Sequence, residues 1–233
     1  MPVLKISLLV MVWASSYVAY TSPNPTPPKS SYRSMGPSLW ASLFLQNRYS
    51  GARAIMQKIF LSGVILLEIA FASGIPSIRE SLPSVTASTP PSFISPLFIF
   101  GVAFALCGAL VRLWSYRALG VQFTFQLSLL KEHKLVITGP YAYVRHPSYT
   151  ALVTTLLGIL VCELSPGSWY VETRAFNSPL GKGMALTAIC CFAIVLSVAS
   201  RAPKEDQLLS ERFGREWKEW EKRVPYRYIP GIL

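Results

Sequence analysis

Five apolar runs, near 3–20, 54–75, 96–116, 149–162 and 183–200, constrain this chain more than any other feature. A helix needs about 20 consecutive apolar residues to cross a bilayer. Four of the runs reach or approach that length, and 149–162 falls short of it. Only 14% of the 233 residues are charged, against about 25% in ordinary globular chains. The pattern predicts an all-α, polytopic membrane protein with about five transmembrane helices. The short run is either a tilted span or half of a hairpin that does not cross fully. The first run carries Lys5 near its start and small residues later. That fits either a cleaved signal peptide or a retained span, and no clean A-x-A site follows it.

The connectors set the orientation. Residues 21–37 and 76–96 are Pro/Ser-rich loops, 38–58 carry basic residues without acids, and 163–182 form a polar connector. Residues 1–95 are expected as an N-terminal two-span region and 96–233 as the core. A net charge of +11 raises the possibility of nucleic acid, but its distribution argues for a lipid bilayer instead. Sixteen Lys and Arg lie in 21–53, 117–148 and 201–233, and three in 76–94 and 163–182. By the positive-inside rule this split puts the C-terminus in the cytosol. Cys107, Cys162, Cys190 and Cys191 sit in or beside apolar blocks without a C-x-x-C pair. They read as buried reduced thiols, with no metal site.

Polar chemistry concentrates in two places. The first is the stretch 139–149, Gly-Pro-Tyr-Ala-Tyr-Val-Arg-His-Pro-Ser-Tyr. Gly139-Pro140 has turn chemistry, and Pro147 pushes His146 away from helical angles. Irregular backbone at membrane depth is tolerated only under protein or in a polar cavity, so this stretch is expected to be a ligand-binding loop at one membrane face. The second begins where the fifth run ends, at Arg201-Ala202-Pro203-Lys204-Glu205-Asp206. Pro203 predicts a kink or a fresh helix start. If helical register persists, Arg201 and Glu205 share a face, either as an exposed ion pair or as part of a site. Arg112, near the end of the third run, either snorkels to headgroups or serves the structure or the site.

The tail is predicted to be helical up to Arg223. Leu209, Phe213, Trp217, Trp220 and Val224 form one apolar stripe, with Glu211–Arg215 and Glu219–Arg223 as i,i+4 pairs. Such an amphipathic helix suits a membrane surface or the protein's own core equally. No Rossmann or P-loop signature, H-E-x-x-H, or G-x-S-x-G is present.

The ordered set Gly139…Arg145-His146-Pro147-Ser148-Tyr149, Arg201…Glu205-Asp206, Phe213-Gly214-Arg215-Glu216-Trp217 and Arg223-Val224-Pro225 resembles the isoprenylcysteine carboxyl methyltransferases. Leu119 to Thr124 is similar to the family's segment after the preceding span. The resemblance covers about residues 110–228. Pro140, Thr150-Ala151 and Pro203 depart from the family's pattern. The resemblance implies S-adenosylmethionine as cofactor, prenylated protein C-termini as partners, and an endoplasmic reticulum membrane location. The implied reaction is methyl transfer to the C-terminal carboxylate of an S-prenylated cysteine.

By the same resemblance, His133, Lys134, Leu135, Val136, Tyr141, His146, Pro147, Ser148 and Tyr149 line the cofactor site. Arg201 and Glu205 take the substrate-side, catalytic places. On this reading Arg201 offers a carboxylate its fork. His146 and nearby backbone N–H groups hold the cofactor's own carboxylate. A membrane methyltransferase acting on a phospholipid amine and a non-catalytic lipid-binding homologue are the alternatives.

Overall fold

The structure is a computed structural model and describes residues 2–28, 50–75, 89–125 and 133–232. Parts of the Pro/Ser-rich loops (29–37 and 76–88), Arg48, and residues 126–132 of the polar segment lie outside the described residues. Among the described residues the regular elements are all helical. These are α1 (Pro2–Ala19), α2 (Ser50–Ser73), α3 (Pro96–Leu119), α4 (Pro147–Glu163), the single turn α5 (Trp169–Glu172), α6 (Pro179–Ala199), α7 (Ala202–Phe213) and α8 (Arg215–Arg223).

The apolar runs become helices, and four stretches among the described residues are long and apolar enough to cross a membrane, beginning at Pro2, Gly51, Pro96 and Pro179. The protein is thus a polytopic membrane protein. The short run extends by a few residues into α4, whose 17 residues give a length of about 25 Å. The five long helices alternate in direction. The N-terminal end of α1, the C-terminal ends of α2 and α4, and the N-terminal end of α3 meet at one pole. There the Lys5 ammonium lies 2.8 Å from Glu68 Oε1 and donates to the carbonyls of Pro91 and Gly167 at 3.0 and 2.7 Å. Glu68 also accepts from the backbone N–H of Trp169. Residues 163–182, expected as a plain polar connector, are folded onto this pole, with Trp169 fully buried.

The core runs through all five long helices, including Leu9, Leu61, Phe98, Leu156 and Val195. The closest pairing is α3 with α4, which run antiparallel along a seam of small residues. A Cβ added to Gly108 would lie 2.6 Å from Thr155 N, and one on Gly158 would lie 2.3 Å from Ala105 N. Lipid offers helices no hydrophobic drive to associate, so close backbone approach over small residues supplies the contact instead.

Two expectations change. Cys162 and Cys191 are buried, but Cys107 and Cys190 are exposed on the outer faces of their helices. The tail is not one helix: Gly214 adopts φ of +52°, which ends α7 and starts α8 in a new direction. Arg215 accordingly faces Glu219 at 3.6 Å, and the Arg223 guanidinium donates to the Glu219 carbonyl. Trp217 and Trp220 are 1% and 3% exposed and pack on Tyr141 and Val224. The stripe therefore covers the protein's own core instead of lying on lipid.

Candidate functional site

The opposite pole collects the C-terminal ends of α1, α3 and α6 and the N-terminal ends of α2 and α4. A cavity of about 210 Å³ opens there. Its walls include His133, Lys134, Leu135, Val136, Tyr141, His146, Ser148, Tyr149, Arg201 and Glu205. The two sequence-distant polar patches thus meet. Pro147 is buried as the first residue of α4 and is not on the cavity wall. His146 has φ −128° and ψ 56°, outside the helical range, as the following proline requires.

Glu205 joins the two patches. Its Oε1 accepts from Arg201 Nη2 at 3.0 Å and from the Tyr149 hydroxyl. Its Oε2 lies 3.5 Å from His146 Nδ1. Pro203 does not disturb this register, because it sits in the first turn of α7, where its missing N–H costs nothing. The Glu205 N–H still bonds the Arg201 carbonyl at 3.0 Å. Arg201 is 4% exposed, which removes the reading as an exposed surface pair. Its terminal nitrogens already donate to Glu205 and, at 3.0 Å, to the Phe125 carbonyl. The expected free fork is therefore occupied, and the unpartnered donor is Nε.

His146 also differs from expectation. Its Nε2 is 2.8 Å from Asp206 Oδ1, so both ring nitrogens face carboxylates. The backbone N–H groups of Arg145 and His146 donate to the carbonyls of Tyr226 and Arg227 at 2.9 and 2.8 Å. Neither the imidazole edge nor these N–H groups are open to hold a cofactor's carboxylate; the ring stacks on Tyr149 at a centroid separation of 5.7 Å. Burial alone would lower the His146 pKa, but hydrogen bonds and charge from Asp206 and Glu205 outweigh it, and the pKa is raised. For His133, burial and then the charge of Arg212 lower it.

Several cavity residues escaped the sequence reading. Tyr20, just after α1, and Arg53 and Gln57 on α2 reach the wall, where no motif marked them. The Tyr20 hydroxyl is buried without a partner. Arg112 proves to be a buried part of the site and not a snorkelling residue. It is 4% exposed and donates to the Ser148 carbonyl at 2.8 Å and to the Ser148 hydroxyl. Its Nε donates to the Tyr116 hydroxyl at 2.9 Å. Asp206 and Arg145 stood inside the quoted motifs without an assigned role. Here Arg145 pairs with Asp206 at 3.3 Å and Glu221 at 2.7 Å.

Comparison with known proteins agrees with the motif reading. Residues 101–174 match the isoprenylcysteine carboxyl methyltransferase (ICMT) family. The chain is 30% identical over 130 residues to protein-S-isoprenylcysteine O-methyltransferase B of Arabidopsis thaliana, covering 54% of this chain and 56% of that protein. It is 26% identical over 126 residues to a probable protein-S-isoprenylcysteine O-methyltransferase of Oryza sativa subsp. indica, covering 53% and 56%. Similarity also extends to the Delta(14)-sterol reductase TM7SF2 of Mus musculus, 30% over 99 residues, covering 42% of this chain and 20% of the reductase. The chain thus spans about half the length of the methyltransferases it matches.

Proposed function

With residues 101–174 carrying the isoprenylcysteine carboxyl methyltransferase signature, we propose that this protein transfers a methyl group to the C-terminal carboxylate of an S-prenylated cysteine. The donor is S-adenosylmethionine, and the reaction takes place at the cytosolic face of the endoplasmic reticulum membrane. The observation that carries this reading is the chemistry of the cavity's unpartnered atoms. Arg201 Nε and the Tyr20 hydroxyl are buried donors without partners, and both belong to cavity-lining residues. Buried donors left unpaired are costly, and a ligand oxygen that only accepts relieves that cost. A carboxylate is such a group.

The residues present fit the proposed donor as well. His133 Nδ1 is buried without a partner, Tyr141 and Tyr149 line the cavity, and aromatic faces attract cations such as a sulfonium. When bound, S-adenosylmethionine supplies an electrophilic methyl on sulfur. The protein's own part is positioning and desolvation. Arg201 Nε and Tyr20 hold the acceptor carboxylate, and Glu205 restrains the guanidinium from the other side. Leu152, Ile194, Val195 and Val198 give the cavity an apolar wall suited to a prenyl chain arriving from lipid.

A carboxylate is ionised at neutral pH, so no residue need remove a proton. An amine acceptor is an ammonium ion at neutral pH and must first lose a proton, and the cavity wall presents it with the guanidinium groups of Arg53, Arg112 and Arg201. This disfavours the phospholipid-amine reading. The test is binding followed by turnover. S-Adenosylhomocysteine should raise the melting temperature of the purified protein in detergent, and Arg201→Ala should keep that shift while losing methyl transfer. No shift at saturating ligand would favour the non-catalytic homologue, and full transfer by Arg201→Ala would remove the arginine from the mechanism.

A further inference from the structure

Asp206 is not itself on the cavity wall, yet both of its carboxylate oxygens are used. Oδ1 meets His146 Nε2 at 2.8 Å. Oδ2 accepts from Arg227 Nε at 2.9 Å and lies 3.3 Å from Arg145 Nη2. A neutral imidazole has one donor and one acceptor nitrogen, whereas the imidazolium has two donors. With carboxylates at both ring nitrogens, only the imidazolium satisfies both contacts. We propose that Asp206 is a positioning residue that, from behind the ring, holds His146 as an imidazolium, and that this cation fixes Glu205 for its contacts with Arg201 and Tyr149.

The surrounding charges support this arrangement. Glu205 and Asp206 face the ring from α7. Arg145 on the same loop and Arg227 on the C-terminal segment oppose the ring's charge from beyond Asp206. Tyr149 stacks on one side, and Tyr228 lies 6.2 Å away, centroid to centroid. The backbone bonds from Arg145 and His146 to Tyr226 and Arg227 keep the C-terminal segment against the loop. So does the Thr150 hydroxyl, which donates to the Tyr228 carbonyl at 2.8 Å. Burial of the imidazole opposes its protonation, and the two carboxylates outweigh that cost. Removing one carboxylate should tip the balance toward the neutral ring.

The chain has two histidines, so selective ¹³C labelling of histidine rings gives two signals, which His133→Gln assigns. In the ligand-free protein, His146 should titrate above its ordinary value. Asp206→Asn should move that titration to lower pH. Arg227→Gln, which removes an opposing cation at a half-exposed position, should move it to higher pH. A residue needed only for packing would not produce opposite displacements. If Asp206→Asn does not fold, Arg227→Gln decides alone, by an upward displacement or by none.

The turnover arm rests on the methyl-transfer reading, and the titration does not. In Asp206→Asn, the rate should fall on the order of tenfold or more at pH 7 through misplacement of Glu205, and the alkaline limb of kcat should move to lower pH. A titration of His146 unchanged by both substitutions would overturn the proposal. Displaced titrations with an unchanged pH–rate profile would overturn its link to turnover.

Discussion

Gly158→Ala tests whether the α3–α4 seam places the site. Alanine is favoured over glycine inside a helix by about 1 kcal/mol, so the change would stabilise α4 in isolation. In the folded protein the added Cβ would lie 2.3 Å from Ala105 N and 2.8 Å from Ala105 Cα. Those are backbone atoms, so no rotamer change relieves the contact, and α4 must withdraw by about 1 Å to reach ordinary carbon contact distances. Overpacking of this kind costs about 1–3 kcal/mol, and a backbone clash belongs at the upper end, so it outweighs the gain in propensity. Because α4 begins at Pro147, the displacement also carries Ser148 and Tyr149 at the cavity. A shift of about 1 Å at a reacting centre can cost on the order of a hundredfold in rate. Thermal melting in detergent should show a less stable protein, and methyl transfer should fall by about that factor. Adding Ala105→Gly should not rescue it, since the clash is not with the Ala105 methyl. A Gly158→Ala protein with normal melting and turnover, or rescue by Ala105→Gly, would show that the α3–α4 seam does not place the site.

Two further outcomes follow from buried charges. Lys5→Met strands the Glu68 carboxylate at the far pole and should cost about 3–5 kcal/mol, read as a lower melting temperature; a change within error would remove the pair from the stability of the bundle. His146 has a folded pKa above its ordinary value of 6.5. Its contribution to stability is therefore complete below about 6.5 and lost as pH rises through the folded pKa. Melting temperature should fall with rising pH in that window, and His146→Gln should flatten the slope; equal slopes in the two proteins would contradict the assignment.

Much of the fold was legible because hydropathy alone marks helices that must satisfy their own backbone in lipid. Two prolines carried local geometry accurately: Pro147 set His146 outside the helix and opened α4, and Pro203 opened α7. The small-residue seam stayed hidden inside runs that read simply as apolar, since glycine and alanine contribute little to any hydropathy period. The folding of residues 163–182 was hidden because its anchors, Lys5 on the Gly167 carbonyl and Glu68 on the Trp169 N–H, come from helices far away in the sequence. The tail's apolar stripe was visible, but a stripe does not say what covers it, and Gly214 redirected the chain midway. At the site, residue types in two motifs converged as expected, while the hydrogen-bond assignments did not. Arg201's fork and His146's ring are spent on Glu205, Asp206 and the Phe125 carbonyl, partners that only tertiary structure brings together.

The most direct measurement is the chemical nature of the methylated product. The purified protein in detergent would be given methyl-labelled S-adenosylmethionine with N-acetyl-S-farnesylcysteine in one reaction and phosphatidylethanolamine in another. A prenylcysteine carboxyl methyltransferase puts label on the farnesylcysteine as a methyl ester, released as volatile methanol by mild base, and none on the lipid. Base-stable label on the amine, or no label on either acceptor, would contradict that assignment.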